Sequence, residues 1–197
     1  VESRHRGAIS VMDSSGKSVL NIGDTALPVF ARSAIKAVQA LPLVESGAAD
    51  AFAMGNAELA LACSSHSGED AHIERAASMV KSAGRGESDL ECGPHWATQE
   101  KVLFHQARTF DSDPGAICNN CSGKHAGFVC TAAHLDIDPK GYIHPDHAVM
   151  QAVKDALEDV TGALHDQDLC GMDGCSIPTY ATPVTALAHG FAKMGSN

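Results

Sequence analysis

Two short apolar stretches near the start of the chain predict a β-hairpin. Residues 7–12 (GAISVM) and 18–22 (SVLNI) contain β-branched side chains, and each is four to six residues long. The polar run between them, residues 13–17 (DSSGK), places a glycine where a tight turn needs one. Residues 24–30 follow as an irregular connection that contains Pro28. The chain is therefore expected to open with an antiparallel hairpin.

Apolar positions at steps of three and four predict helices along the rest of the chain. The first is expected at residues 32–40 and to stop at Pro42, because a proline ring cannot continue a helix. The others are predicted at residues 69–83, 125–134, 145–164 and 181–197. Polar loops are expected at residues 86–94 and 170–176. The pattern contains no internal repeat and no linker, so a single domain is the favoured organisation.

Composition and charge exclude several classes of partner. Fourteen Lys and Arg against twenty-four Asp and Glu give a net charge of −10, and the basic residues form no stripe. A nucleic acid or an anionic membrane is therefore not expected as a partner. No apolar run approaches the roughly 20 residues that a membrane span needs. Seven cysteines without regular spacing favour reduced thiols in a cytoplasm over a disulfide framework.

A Ser-x-x-Lys pattern is the first feature that suggests catalysis. Residues three apart on a helix share a face, so a neutral lysine amine can take the proton of the serine and create a nucleophile. The pattern occurs three times, beginning at Ser14, Ser33 and Ser78. Only Ser33 lies in the first turn of an apolar helix, where Lys36 would be partly buried. A capping serine and a lysine that extends to solvent are the structural alternative.

Cysteines form a second feature with chemical potential. Cys118 and Cys121 are three apart, and Cys170 and Cys175 follow later in the chain. Such thiolates could hold zinc, although the wider second pair favours a mixed site with an open position over a closed four-cysteine site. A redox dithiol of Cys118 and Cys121 and a set of buried reduced cysteines remain alternatives.

A run rich in hydroxyl groups precedes one of the predicted helices. Residues 64–69 (SSHSGE) could present backbone N–H groups to an oxyanion at the start of that helix, or Ser67 could only cap it. Residues 92–96 (CGPHW) hold the single tryptophan and predict a tight turn with an aromatic anchor.

Taken together, four segments resemble a known family. They are CSSHSGEDAHIERAASM at 63–79, CGPHW at 92–96, NNCSGKHAGF at 119–128 and DGCSIPTYATP at 173–183. In this order they resemble the Rhizobium-type L-asparaginases, the class 3 enzymes that contain zinc and a Ser-Lys pair. The resemblance implies an α/β (α+β) fold similar to serine β-lactamases, penicillin-binding proteins and glutaminases. In that fold an antiparallel sheet is packed with helices.

The resemblance also assigns roles to individual residues. It implies three catalytic residues, Ser33, Lys36 and Ser65, and three ligands of a Zn²⁺ ion, Cys121, Lys124 and Cys175. For substrate binding it implies Asp173 near the metal, and we add Arg32 for the α-carboxylate of the substrate and His125 as a weaker candidate. A cytoplasmic homodimer that acts on L-asparagine is expected.

The expected reaction is hydrolysis of L-asparagine to L-aspartate and ammonia. Lys36 would deprotonate Ser33, which would attack the side-chain amide, and Ser65 would relay protons. Family members continue past the position that matches residue 197 and carry a second lysine there. We therefore expect residues 1–197 to be the N-terminal part of a longer catalytic domain. A glutaminase or penicillin-interacting hydrolase on the same fold, and a zinc-binding module without turnover, are the alternatives.

Overall fold

The computed structural model describes residues 2–165 and 167–196. Its contacts divide the chain into two compact units. One unit comprises Val1–Ala31, Lys154–Gly171 and Thr179–Asn197, and the other comprises Arg32–Val153 and Met172–Pro178. We call them the hairpin unit and the helical unit. Whether residues 1–197 form part of a longer catalytic domain stays a prediction.

A two-stranded antiparallel sheet opens the hairpin unit. Strands β1 (Ile9–Met12) and β2 (Ser18–Ile22) pair from Ile9 opposite Ile22 to Met12 opposite Ser18, with a bulge between Val11 and Met12. The turn is closed by a hydrogen bond from the Gly16 N–H to the Asp13 carbonyl at 3.1 Å, and Gly16 has φ +84°. Glycine adopts this left-handed conformation without steric cost. The predicted hairpin is confirmed.

A second small sheet was only partly expected. Strand β3 (Pro28–Phe30) pairs antiparallel with β5 (Pro178–Pro183), Phe30 lying opposite Ala181, and β4 (Cys170–Met172) forms the other edge. The predicted irregular connection at 24–30 is therefore wrong for its last three residues. Pro28 fits because it is the first residue of its strand, where a missing N–H is tolerated.

Helix α9 (Val184–Met194) closes the hairpin unit and packs against β1. Residues 181–183, predicted to be helical, belong instead to β5, and residue 197 of that prediction lies outside the described residues. Helix α8 (Ala148–Thr161) is shorter than the predicted span at both ends, and it stops before Gly162, which adopts φ +70°. A 3₁₀ helix at Gln167–Leu169 precedes β4.

The helical unit contains most of the buried core. Its elements in chain order are a 3₁₀ helix at Arg32–Ile35, α1 (Lys36–Gln39), α2 (Leu41–Glu45), α3 (Ala48–Ala51), α4 (Asn56–Ala62), α5 (Asp70–Ser82), a 3₁₀ helix at Glu87–Asp89, α6 (Glu100–Thr109), a 3₁₀ helix at Ala116–Cys118 and α7 (Ser122–His134). Eleven of the thirteen residues of α7 are buried, so α7 is the central helix of this unit. Helices α4 and α5 pack against it.

Several helix predictions for this unit need correction. The segment predicted as one helix at 32–40 is a 3₁₀ turn followed by the single turn of α1. Pro42 does not only stop a helix: it lies in the first turn of α2, where its fixed φ suits a helix start. The predicted helix at 69–83 is confirmed as α5, and the glycine turn before residue 125 is the first turn of α7.

These elements make a mixed α/β protein with small antiparallel sheets and many helices, as the sequence predicted at that level. A fold similar to that of the serine β-lactamases stays a prediction. Among the residues described here, no helix combines the length and apolar character that crossing a bilayer requires.

Candidate active site

A buried lysine lies at the centre of the site. Lys36 begins α1 and keeps 1% of its surface exposed. Its Nζ donates a hydrogen bond to the Ser64 carbonyl at 2.7 Å and lies 2.8 Å from Ser65 Oγ and 3.2 Å from Cys121 Sγ. Burial lowers the pKa of Lys36 and Lys124 lowers it further, whereas Cys121 opposes the shift. The neutral amine that a general base must be is therefore favoured more than in water.

Two exposed serines extend a chain of polar contacts from this amine to the surface. Ser65 Oγ lies 2.8 Å from Ser33 Oγ, and both side chains belong to exposed residues. Ser65 thus stands between Lys36 and Ser33, whereas the Ser-x-x-Lys spacing suggested direct contact. The described partners of the Lys36 amine come from residues 64, 65 and 121, which the spacing of Ser33 and Lys36 does not reveal. We call Lys36, Ser65 and Ser33 the Lys-Ser-Ser chain.

Two buried cysteines with different protonation lie beside this chain. A hydrogen bond from the Cys175 thiol lowers the pKa of Cys121 to about 6, and the charges of Lys124 and Lys36 act in the same direction against burial. The hydrogen bond to Cys121 and burial raise the pKa of Cys175 to about 11. Of the two sulfurs, Cys121 is therefore the one that loses its proton more readily. The thiolate is the form that binds metals.

Lys124 supplies a third donor to this cluster. It lies in the first turn of α7 with 2% of its surface exposed, and its Nζ is 3.2 Å from Cys175 Sγ. In a tetrahedral zinc site, sulfur and nitrogen ligands lie roughly 3.5 Å apart, which follows from the usual bond lengths. The 3.2 Å between Lys124 Nζ and Cys175 Sγ is close to that spacing. Within residues 2–165 and 167–196, no three His, Cys, Asp or Glu side chains are grouped to hold a metal. A three-ligand site at this cluster would therefore have to include the amine of Lys124 beside the two sulfurs.

His125 is buried completely beside these ligands. Its Nδ1 lies 2.5 Å from Tyr142 Oη, which also accepts a hydrogen bond from the Glu91 N–H at 2.9 Å. The tyrosine hydroxyl therefore donates to Nδ1, and the ring proton is on Nε2. Burial lowers the pKa of His125 to about 4, while Cys175 acts in the opposite direction. Nε2 meets no partner within normal hydrogen-bond geometry among the described residues, and Cys175 is the polar neighbour of the ring that opposes the shift. A side chain without exposed surface acts on a substrate only through its neighbours.

Arg32 and Asp173 form an ion pair at the surface of the helical unit. Arg32 Nη2 lies 2.7 Å from Asp173 Oδ1, and the arginine side chain is 63% exposed while that of the aspartate is 9% exposed. The Gly174 N–H also donates to Asp173 Oδ1 at 2.7 Å, so the carboxylate is held in place. Arg32 has φ +50°, a conformation that is uncommon for a non-glycine residue and concentrates at functional sites. The exposed guanidinium keeps further N–H donors for an anion.

A network of polar residues that sequence reasoning did not assign holds the loops of the site together. The amide of Asn119 donates to the carbonyls of Cys92 and Gly93 at 2.8 Å each and accepts from the Cys121 N–H at 2.8 Å. His95 Nε2 accepts from the Asn120 N–H at 3.1 Å. These contacts tie residues 92–95 to the turn before α7. The motifs CGPHW and NNCSGKH were both noticed, but their contact spans about 25 residues and no local spacing reveals it.

His66 is the other residue that the sequence gave no reason to single out. Its backbone N–H donates to the Asn120 carbonyl at 3.0 Å, and its ring lies 2.9 Å from Ser122 Oγ. Burial, with the charges of His72, Lys36 and His95, lowers the pKa of His66 to about 4. The loop that carries Ser65 is thereby attached to the start of α7.

The structure therefore brings together the predicted catalytic residues and the predicted zinc ligands. A comparison with curated proteins finds no match. The family model described as L-asparaginase II matches residues 1–197. The predicted asparaginase family is confirmed at this level, and membership supports hydrolysis of L-asparagine in general; the zinc-containing Ser-Lys class stays a prediction. Since the match spans residues 1–197, the chain belongs to the L-asparaginase II family.

Proposed function

We propose that this chain hydrolyses the side-chain amide of L-asparagine to L-aspartate and ammonia, with Ser33 as the nucleophile and Lys36 as the base that acts through Ser65. The observation that supports this most is the Lys-Ser-Ser chain, with 2.8 Å between neighbouring polar atoms. Its buried end is an amine with a lowered pKa, and its exposed end is a hydroxyl that a substrate can reach. Such an arrangement activates a serine for attack on an amide.

In this mechanism protons move along the Lys-Ser-Ser chain. As Ser33 Oγ attacks the amide carbon, its proton passes to Ser65 Oγ, and the proton of Ser65 passes to neutral Lys36. The new C–O bond gives a tetrahedral intermediate, whose oxyanion we assign to backbone N–H groups near Ser65. Lys36 returns its proton to Ser65, Ser65 passes one proton to the amide nitrogen, the C–N bond breaks and ammonia leaves. Water then attacks the ester while one of its protons passes through Ser65 to Lys36. A proton returns through Ser65 to Ser33 Oγ as the ester C–O bond breaks and aspartate leaves.

The charged ends of asparagine call for complementary groups. We assign the α-carboxylate to Arg32, because this exposed cation directly precedes Ser33 in a protein of net charge −10. Asp173 holds the guanidinium through the 2.7 Å ion pair and leaves its other donors available. His125, which has no exposed surface, would contribute indirectly by fixing the cysteine next to it.

Zn²⁺ is proposed as the cofactor, held by Cys121, Lys124 and Cys175. When bound, the ion would supply a fixed positive charge that keeps its ligands deprotonated and favours neutral Lys36. Each of the three residues is at most 5% exposed, so the ligands are shielded from water. The amine of Lys124 has to lose its proton to act as a ligand. A cytoplasmic location and a homodimer stay predictions.

Ammonia release from L-asparagine tests the proposal directly. Ser33→Ala should abolish release, whereas Ser78→Ala should not, because Ser78 has the same Ser-x-x-Lys spacing on the exposed face of α5. An active Ser33→Ala variant would move the nucleophile to Ser65. Rates on glutamine and on a chromogenic β-lactam would separate an asparaginase from the other hydrolases expected on a similar fold.

A zinc-binding module without turnover is the second function we consider. It is favoured by one observation: two cysteines and two lysines meet in contacts of 3.2 Å at buried positions. This function predicts that zinc binds through Cys121 and Cys175 while Ser33 never reacts with an acylating reagent. Labelling of Ser33 in the zinc-loaded protein would exclude it.

A further inference from the structure

The residue after Ser65 is unusually well anchored for a residue in a loop. His66 is 6% exposed, although the chain from 64 to 69 contains no helix or strand. Its backbone N–H donates to the Asn120 carbonyl at 3.0 Å, and its ring lies 2.9 Å from the hydroxyl of Ser122. Ser65 itself is exposed. The position of its hydroxyl therefore depends on how the neighbouring peptide is held.

The hydrogen bonds of His66 define which ring nitrogen carries the proton. The Gly68 N–H donates to Nδ1 at 3.2 Å, so Nδ1 is the acceptor. The hydrogen of the neutral ring is then on Nε2, which donates to Ser122 Oγ. Burial favours this neutral form, because it lowers the pKa of His66 to about 4. A neutral ring with one donor and one acceptor satisfies both contacts at once.

Ser122, the partner of the His66 ring, also belongs to the site. Ser122 is fully buried and is the first residue of α7, directly after Cys121. Cys121 Sγ and Ser65 Oγ are two of the three described partners of the Lys36 amine. The bond between His66 and Ser122 therefore links the two segments that supply those partners. If it is removed, the 2.8 Å distance between Lys36 and Ser65 loses a constraint.

We infer that His66 is a positioning residue, whose hydrogen bond to Ser122 holds Ser65 at the distance from Lys36 and Ser33 that proton transfer needs. The inference rests on the proposed serine nucleophile. His66 contacts neither the amine nor the hydroxyls of the Lys-Ser-Ser chain among the described hydrogen bonds. Its effect is therefore geometric. Misplacement of a catalytic group by 1 Å can cost about 100-fold in rate.

Four variants test this inference, with two measurements on each. They are His66→Ala, Ser122→Ala, the double variant and His66→Gln, which keeps a donor of similar length. The first measurement is the rate at which a fluorophosphonate labels Ser33 or Ser65, mapped by mass spectrometry. The second is kcat and KM for L-asparagine. His165→Ala is the matched control, because His165 is also buried and its Nε2 also contacts a hydroxyl, Thr182 Oγ1, at 2.8 Å.

We expect His66→Ala and Ser122→Ala to slow labelling and kcat by about tenfold or more, with KM changed far less. The double variant should be no slower than either single variant, because both remove one bond. His66→Gln should recover part of the rate, and His165→Ala should lose thermal stability but label normally.

Three results would overturn the inference. One is labelling of His66→Ala at the wild-type rate, and another is an equal loss in His165→Ala, which would indicate general destabilisation. The third is a wild-type chain that labels at neither serine, which would also reject the proposed function. Labelling that depends on His66 in a chain without asparagine turnover would support the inference and reject only the proposed substrate.

Discussion

Lys36 and Ser65 are 29 residues apart, yet the amine nitrogen of one lies 2.8 Å from the hydroxyl oxygen of the other. The lysine is 1% exposed, whereas the serine is exposed and lies 2.8 Å from Ser33. This relationship separates the base from the solvent while the hydroxyl it serves remains accessible. The contacts therefore support a base that acts through Ser65, and the first two predictions test that arrangement.

Replacing Lys36 by methionine should stop the reaction and leave the chain folded. Methionine fills a similar volume without an amine, so the Lys-Ser-Ser chain loses its proton acceptor. We expect kcat for asparagine to fall by about 10²- to 10⁴-fold, the usual contribution of general acid–base catalysis. Circular dichroism would confirm that the fold is retained.

Lys81→Met is the control for this change. Lys81 follows Ser78 with the same spacing but is exposed on α5. Its replacement should leave kcat unchanged. Comparable losses in both variants would contradict a specific role for Lys36.

Ser33 and Ser65 should behave as one unit in a double-mutant cycle. Alanine at Ser65 interrupts the chain between Lys36 and Ser33, so each single variant should already lose most of the rate. The double variant should then be little worse than either, because residues that act together give non-additive effects. The measurement is kcat/KM for the wild type and all three variants. Additive losses would mean that Ser65 is not on the proton path.

Sequence reasoning predicted the elements that depend on residues close together in the chain and missed those that depend on distant ones. The hairpin at Ile9–Ile22 and helix α5 depend on turn residues and on local periodicity, which the sequence displays. Strand β3 is only three residues long and pairs with a partner about 150 residues later, so nothing local predicts it. Helix α6 buries only Val102 and Gln106, and this weak pattern explains why the sequence did not predict it.

The same distinction between local and long-range contacts applies to the candidate active site. The spacing of Ser33 and Lys36 and the resemblance of four motifs predicted which residues meet. Neither predicted the order of contact, because Ser65 and Cys121 reach Lys36 from positions 29 and 85 residues away. His66 was missed for the same reason. Its contact with Ser122 joins residues 56 positions apart, and a histidine within a serine-rich loop has no distinctive spacing.

Zinc binding should depend on Cys121 and Cys175 and not on the exposed Cys63. We expect the purified chain to bind about one equivalent of zinc, since Cys121, Lys124 and Cys175 form one set of ligands. Cys121→Ser and Cys175→Ser should each lose the metal and melt at a lower temperature. Metal content after dialysis and a thermal melt provide the two measurements.

Cys63→Ser is the matched control, because Cys63 is exposed and is not one of the proposed ligands. This variant should keep both the zinc and the melting temperature. If Cys121→Ser retained a full equivalent of zinc, the proposed ligand set would be wrong.

Stability should fall in acid partly because His66 is neutral in the folded chain. Its pKa is about 4 in the fold and 6.5 in the reference state, so the unfolded chain binds the extra proton between these pH values. The free energy of unfolding therefore rises with pH across this interval. The contribution of His66 is complete above about pH 6.5 and is lost as the pH falls towards 4.

His66→Gln removes this titration and should make the slope shallower by up to one proton. Urea unfolding at several pH values from 4 to 7.5 measures the slope. His125 and His165 also have lowered pKa values, so part of the slope should remain. An unchanged slope would mean that His66 is already protonated in the fold.

Close packing between α4 and α7 should make Gly123 far less tolerant of a side chain than Gly127. A Cβ at Gly123 would lie 2.5 Å from Leu61 Cγ and 2.7 Å from the Leu61 carbonyl oxygen, so backbone would have to move. At Gly127 the nearest atom is Leu43 Cδ2 at 3.2 Å, the end of a flexible side chain.

Gly123→Ala should therefore cost about 1–3 kcal/mol of unfolding free energy, as overpacked cores do. For Gly127→Ala the helix preference of alanine, about 0.5–1 kcal/mol, should offset most of the strain. Urea unfolding of both variants at one pH tests the difference. The two glycines lie one turn apart on the same helix and gain the same helix preference from alanine, so equal losses would show that the contact with Leu61 does not decide the outcome.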